Sequence, residues 1–277
     1  MKIGGSTVLL FLACIAALAR SAPQSGPPQP SGPAQGYLVL QGGGPSVAEI
    51  NKRFVHLAGG SDGHLVVIPT TLTDDRLTPD GMTRLKARIQ DVFGVQGVTL
   101  LHTRDRRQAD SEAFVRPLLA ATGLWILGGD EEQLVMSYVG TRTQTEIRNL
   151  VLRGGVVGGT SAGAMIQASH IPVNPDYPEL ARTIIAQQGG GFALLAHATI
   201  APHFTQRGYE AALRKTVASL PEVVGIGIDE ATAVIVHGTG LEVLGEGHVA
   251  LYDGKTHGTE DHVTLKAGER FDFAHAR

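Results

Sequence analysis

Residues 156–165, Val-Val-Gly-Gly-Thr-Ser-Ala-Gly-Ala-Met, constrain this chain more than any other stretch. The two valines read as the end of a buried strand. Gly158 to Gly163 reads as a sharp turn, and Ala164 to Ala168 as the start of a helix. Gly159-Thr160-Ser161-Ala162-Gly163 fits G-x-S-x-G, the pattern that holds a serine on a tight strand-to-helix turn. Small residues flank Ser161 because larger ones would strike the crossing strand or cover the hydroxyl. A helix starting there points its positive end at the turn, which favours a developing negative charge. Taken alone, the same letters also fit a Gly-rich turn with an incidental serine.

The surroundings alternate between strand and helix. Short apolar runs at 37–40, 65–69, 98–102 and 124–127 read as strands, and spans 47–57, 82–93 and 112–121 have helical spacing. Residues 132–152 read as helix with a break near Gly140. Continuous apolar strands separated by helices predict an α/β fold with a parallel, doubly wound sheet covered on both faces. After the turn the pattern changes. Residues 174–178 form a polar loop, 198–201 a strand, 209–220 a helix and 225–228 another strand. Runs at 233–236, 241–244 and 248–252, set off by Gly-rich turns, read as extra antiparallel strands at one edge, with 263–265 a further candidate. The apolar fraction of 43% in 277 residues supplies a full core, and a net charge of −3 gives no reason to expect a nucleic-acid partner.

The N-terminus has a different character. Met1-Lys2, the apolar run 8–18 and the small-x-small triplet Ala17-Leu18-Ala19 predict a signal peptide over residues 1–19. The run is too short for a confident membrane span. The lone cysteine, Cys14, falls inside it and rules out intrachain disulfides. Residues 20–35, rich in Pro, Gly and Ser, read as a disordered linker, and 36–277 as one domain. The expected localisation is secreted or periplasmic, with no stable membrane association after cleavage.

A catalytic serine needs a base, and the base an orienting acid. His203 follows the strand at 198–201, at the end that faces a crevice in sheets of this kind. His197, at the start of that strand, and His102, after the third strand, are its rivals. Asp229-Glu230 ends the next strand, and Asp176 lies in the loop after the elbow. Gly128-Gly129-Asp130 follows the fourth strand. Its small residues expose backbone N–H groups as an oxyanion hole requires, so Gly129 and Asp130 join the N–H of Ala162 as candidate donors. Arg207 lies one helical turn past His203, where its planar fork suits a substrate carboxylate. The sequence has no H-E-x-x-H and no Cys/His cluster, so neither metal nor cofactor is expected.

Together, Leu127-Gly128-Gly129-Asp130, Gly159-Thr160-Ser161-Ala162-Gly163-Ala164, His203-Phe204-Thr205-Gln206-Arg207 and Gly225-Ile226-Gly227-Ile228-Asp229-Glu230 resemble the four signatures of the cyanophycinase-like serine peptidases. Their relatives include the aspartyl dipeptidases. The resemblance runs from about Tyr37 to Tyr252. It implies a class I glutamine amidotransferase-like three-layer sandwich, with Ser161 as nucleophile, His203 as base and Glu230 as acid. In the dipeptidase branch the acid falls in the loop where Asp176 lies. Several positions depart from the family pattern. Ala201-Pro202 stands where Asp-Gln is usual, and Tyr209 and Ala212 where arginines are usual. Glu131 replaces the usual Gln, with Gln133 two residues on, the residue expected to share substrate binding with Arg207.

These readings combine into an exported serine peptidase that hydrolyses short Asp-containing or β-Asp peptides, with cyanophycin or its fragments open as substrates. Two alternatives stand beside it: an exported esterase of α/β-hydrolase type, whose order Ser…acid…His differs from the order here, and a non-catalytic binding module on the same scaffold. The partner is a peptide; a homodimer stays open. The first expectation is simple to test. N-terminal sequencing of the exported protein should begin near residue 20, and protein still starting at Met1 or lipidated at Cys14 would contradict it.

Overall fold

The computed structural model describes residues 30–172 and 174–274; the expected signal peptide and Cys14 lie outside them. The first half of the chain builds β1 (Tyr37–Gln41), α1 (Ala48–Leu57), β2 (Leu65–Ile68), α2 (Pro79–Phe93), β3 (Val98–Leu100), α3 (Arg106–Ala109), α4 (Glu112–Ala120) and β4 (Gly123–Ile126). Next come α5 (Glu131–Tyr138), α6 (Arg142–Leu152), β5 (Val156–Thr160), α7 (Ala162–Met165), β6 (Ala168–His170) and α8 (Glu179–Gln188). The remainder is β7 (Leu195–Pro202), α9 (Glu210–Ser219), β8 (Val224–Ile228), β9 (Thr232–His237), β10 (Gly240–Gly245), β11 (His248–Tyr252), β12 (Val263–Lys266) and β13 (Arg270–Asp272). Local signals set many of the bounds. Thr78 caps α2 through its side chain, Pro79 opens it, and Gly94 closes it in the left-handed conformation. Gly140, with φ of 75°, separates α5 from α6.

The strands form two sheets. The larger runs β13-β10-β9-β1-β5-β4-β2-β3. Its β1, β5, β4, β2 and β3 are parallel, and β9, β10 and β13 extend it antiparallel. This is the expected doubly wound sheet with antiparallel edge strands. The expected edge is nonetheless divided. A second sheet, β12-β11-β8-β7-β6, holds β7 and β8 parallel to each other. The turn at Gly245, with φ of 105°, takes the chain out of the larger sheet and into β11 of the smaller.

Side chains alternate across the larger sheet. Leu38, Leu40, Leu124 and Ile126 face a core shared with α4, α5, α6 and the second sheet. Val39, Val67, Trp125 and Ile235 face the opposite core, under α1 and α2. There Phe54 and Trp125 meet edge to face at 4.8 Å, an arrangement favoured by the ring quadrupoles. On the outer face of the second sheet, Leu213 and Val217 of α9 pack with Phe204 and Tyr252.

Two further expectations need correction. The elbow does not begin a long helix. α7 is a single turn, and the chain then pairs Ala168 with Leu195 of β7. One turn carries little macrodipole, so any favour to negative charge at Ser161 comes from individual N–H groups. The expected linker also ends earlier than residue 35. The Ser31 carbonyl accepts the Ala196 N–H at 3.0 Å, the Gly32 N–H bonds the Gly238 carbonyl at 2.8 Å, and the Gly238 N–H bonds the Pro33 carbonyl at 3.0 Å. Among the described residues no helix is long and apolar enough to cross a membrane.

The connections create one crevice. β1 and β5 are parallel neighbours. Beyond β1, α1 packs into the core holding Trp125; beyond β5, Ala164 and Ile166 pack into the other. The chain thus leaves adjacent strand ends toward opposite faces, and ligands bind at such switch points in open α/β sheets.

Candidate active site

Ser161 stands at that point with φ of 53° and ψ of −118°. This backbone costs about 1–3 kcal/mol for a residue other than glycine, and it is the conformation a strand-to-helix elbow imposes. Close packing holds it. A Cβ on Gly163 would lie 2.1 Å from the Ile126 carbonyl oxygen, and one on Gly158 would lie 2.4 Å from the Trp125 ring. The end of β5 and the elbow are therefore pressed against β4.

His203 and Glu230 arrive from the second sheet. Pro202 and Ile228 are register partners at the ends of β7 and β8, so the residues that follow them emerge side by side. His203 Nε2 lies 2.8 Å from Ser161 Oγ, and His203 Nδ1 lies 2.7 Å from Glu230 Oε1. The histidine is 8% exposed. A hydroxyl on one imidazole nitrogen and a carboxylate on the other can transfer the hydroxyl proton to the ring and stabilise the resulting cation.

Backbone bonds fix the three segments. The loop after β1 presents consecutive carbonyls. Gln41 O accepts from Ser161 N at 2.9 Å, Gly42 O from His203 N at 2.7 Å and Gly43 O from Ala231 N at 3.0 Å. Gly43 has φ of 102°, and a Cβ there would fall 2.2 Å from the His203 ring; one on Gly44 would fall 2.7 Å from Glu230 Cβ. The Gly42-Gly43-Gly44 run was visible in the sequence, but its role as the frame of the site was not. Cross-bonds complete the frame. Asp229, 4% exposed, accepts from the Thr205 N–H and hydroxyl and from the His248 N–H. Gln206 Oε1 accepts from Glu230 N at 3.0 Å. The adjacent acids therefore divide their work: Asp229 ties segments together and Glu230 meets the imidazole.

The rival residues fall elsewhere. Asp176 is exposed, with its N–H on the Asn174 side chain. His197 sits near the far end of β7. His102 shares the Thr70 hydroxyl, which also bonds Tyr138; burial, then Arg104, lowers its pKa. Asp130 drops out as an oxyanion donor because its N–H is held by the Thr71 carbonyl at 3.1 Å. Thr71 Oγ1 also bonds the Gly128 carbonyl at 2.8 Å, fixing the loop that presents Gly129 beside the serine.

A cavity of about 700 Å³ opens over Ser161. Gly44, Gly129, Glu131 and Arg207 line it, as do Thr199, Leu213 and Thr216. Thr199 Oγ1 is buried without a partner among the described residues. Gln133 does not line the cavity; Glu131, two residues earlier at the start of α5, does. The positions that depart from the family pattern, Glu131, Ala201, Pro202, Tyr209 and Ala212, all line it. Among the described residues no group of His, Cys, Asp and Glu is arranged to hold a metal ion.

Known proteins resemble this chain over most of its length. The model of peptidase family S51 matches residues 38–244. The cyanophycinase of Geminocystis herdmanii (strain PCC 6308) is 29% identical over 221 residues, covering 79% of this chain and 80% of that protein. The cyanophycinase of Nostoc sp. (strain PCC 7120 / SAG 25.82 / UTEX 2576) is 31% identical over 220 residues, covering 78% and 72%. The crystal structure of a peptidase from an acI-B1 Actinobacterium superposes with a TM-score of 0.69 at 26% identity, covering 87% of this chain and 98% of that one.

The frame generates a prediction. Gly43→Ala pushes a methyl group into the His203 ring, and a displacement of about 1 Å costs on the order of a hundredfold in rate. kcat/KM for any peptide the wild type cleaves should fall by about that factor, while denaturant titration shows a cooperatively folded protein destabilised by no more than about 3 kcal/mol.

Proposed function

Because the chain belongs to peptidase family S51 and is a serine-type peptidase resembling the cyanophycinases, we propose that Ser161, His203 and Glu230 form its catalytic triad and that it hydrolyses short Asp-containing or β-Asp peptides. The observation that carries this reading is the unbroken Glu230–His203–Ser161 hydrogen-bonded chain at the wall of the cavity. Ser161 Oγ attacks the scissile carbonyl as His203 Nε2 takes its proton. Glu230 holds Nδ1–H and steadies the imidazolium. The carbonyl oxygen, now negative, accepts from the N–H groups of Gly129 and Ala162. His203 then gives its proton to the leaving amine, and water, activated the same way, releases the acyl group.

Arg207 supports the substrate assignment. It lines the cavity; its side chain has only a 3.5 Å approach to the Tyr209 hydroxyl, and among the described residues no carboxylate pairs with it. A guanidinium so placed binds a carboxylate through two parallel bonds. The altered residues of the wall favour short Asp-containing or β-Asp peptides over cyanophycin itself, which should be a poor substrate. The N-terminal residues 1–19 support export of the enzyme before it acts.

Ser161→Ala and His203→Ala should each lower kcat by about three decades or more, with the double variant little worse, because such groups act as a unit. Glu230→Gln should cost less than either, and Asp176→Asn should be mild. Wild type should prefer an Asp peptide over its Asn counterpart by about 1–3 kcal/mol in kcat/KM, the scale of a hydrogen bond to a charged group. Arg207→Ala should lose that preference. Equal loss on both peptides would make Arg207 a structural residue.

A further inference from the structure

Glu131 is a second charged group on the cavity wall that the proposed reaction leaves unused. It begins α5, half-buried, beside the Gly128-Gly129 loop and Ser161. The Tyr177 hydroxyl, from the loop before α8, donates to its Oε1. Among the described residues no Lys, Arg or His pairs with it. Arg207, the cation on the same cavity, is likewise without an ionic partner, so the two opposite charges do not neutralise each other by direct contact.

A carboxylate accepts about four hydrogen bonds, and one phenol leaves most of that capacity open toward the cavity. Tyr177 is a durable donor. Burial first, and then its bond to Glu131, push its pKa far above the usual phenol value. The phenol therefore fixes the carboxylate without competing for its charge. The N-terminal position on α5 offers the carboxylate some stabilisation of its own. It does not account for a tyrosine 46 residues away that reaches across the cavity wall to orient it.

We propose that Glu131, oriented by Tyr177, is a specificity-determining residue that binds a cationic group of the peptide, an ammonium or a guanidinium, so that preferred substrates carry one positive charge for Glu131 and one carboxylate for Arg207. This rests on the peptidase reading above and names the second half of its substrate class. A neutral side chain at Glu131 would leave such a cation with one desolvated contact fewer. The cavity thus selects dipolar peptides, and a purely acidic peptide meets repulsion at one wall.

The test compares peptides that differ by one charge and almost nothing else. Asp–Arg and Asp–citrulline dipeptides, α- and β-linked, are prepared with the amine free or acetylated, and kcat/KM is measured with the full-length protein. Wild type should prefer the cationic member of at least one pair by about tenfold or more, the scale of a charge-assisted bond. A drop on citrulline identifies the guanidinium as the group bound; a drop on acetylation identifies the ammonium. Glu131→Gln should bring the ratio close to one. Tyr177→Phe, which keeps the carboxylate and loses its support, should shrink the ratio by a smaller factor and provides the answer if Glu131→Gln fails to fold. Wild type that cleaves the peptides without regard to charge, or a ratio unmoved in both variants, overturns this inference alone. Wild type that cleaves none of them overturns the substrate reading beneath it and this inference together.

Discussion

Three consecutive carbonyls after β1, those of Gln41, Gly42 and Gly43, each accept an N–H from a different segment of the site. Ser161 belongs to one sheet, while His203 and Glu230 belong to the other. No single element could set their spacing, and a hydrogen-bonded chain with links of 2.8 and 2.7 Å tolerates little error. The Gly42–Gly44 loop solves this by serving as a common ruler. It must lie against the imidazole and the carboxylate, and a Cβ at Gly43 or Gly44 would enter them. The strained backbone of Ser161 persists because this loop and the Ile126 carbonyl hold it from two sides.

Much of this was legible in the letters. Strands β1, β2 and β4 are buried apolar runs, and α2 carries a Thr78 cap and a Gly94 stop, so local preference and tertiary fold agree. The elbow, the histidine after β7 and the acid after β8 come together in the structure because each stands at a strand end, where the parallel register brings such ends side by side. What failed was decided by distant contacts. Ala164 to Ala168 has helical character, yet the pairing of Ala168 with Leu195 draws it into a strand after one turn. The strands from β9 onward look alike in sequence, yet β9, β10 and β13 join the larger sheet and β11 and β12 the smaller. Asp130 has the look of a loop donor, but Thr71, far away in the chain, already holds its N–H.

The cavity wall separates the family's chemistry from this chain's use of it. Ser161, His203 and Glu230 stand in motifs that resemble the family's, while the departures line the cavity. Catalytic geometry tolerates little change because about 1 Å of error is costly. A pocket wall is free to exchange charge and bulk, which alters what is bound and leaves the proton path intact. Glu131, Tyr209 and Ala212 are changes of this kind: together they turn a wall expected to be rich in cations into one with a carboxylate, a phenol and an open apolar face.

The proposed chemistry makes Ser161 a nucleophile activated through His203. Reaction of the full-length protein with a serine-directed phosphonate, followed by peptide mapping in a mass spectrometer, tests it most directly. A single adduct should form on Ser161, lost in His203→Ala and formed more slowly in Glu230→Gln. An adduct on another serine, no adduct at all, or undiminished labelling of Ser161 in His203→Ala would contradict it.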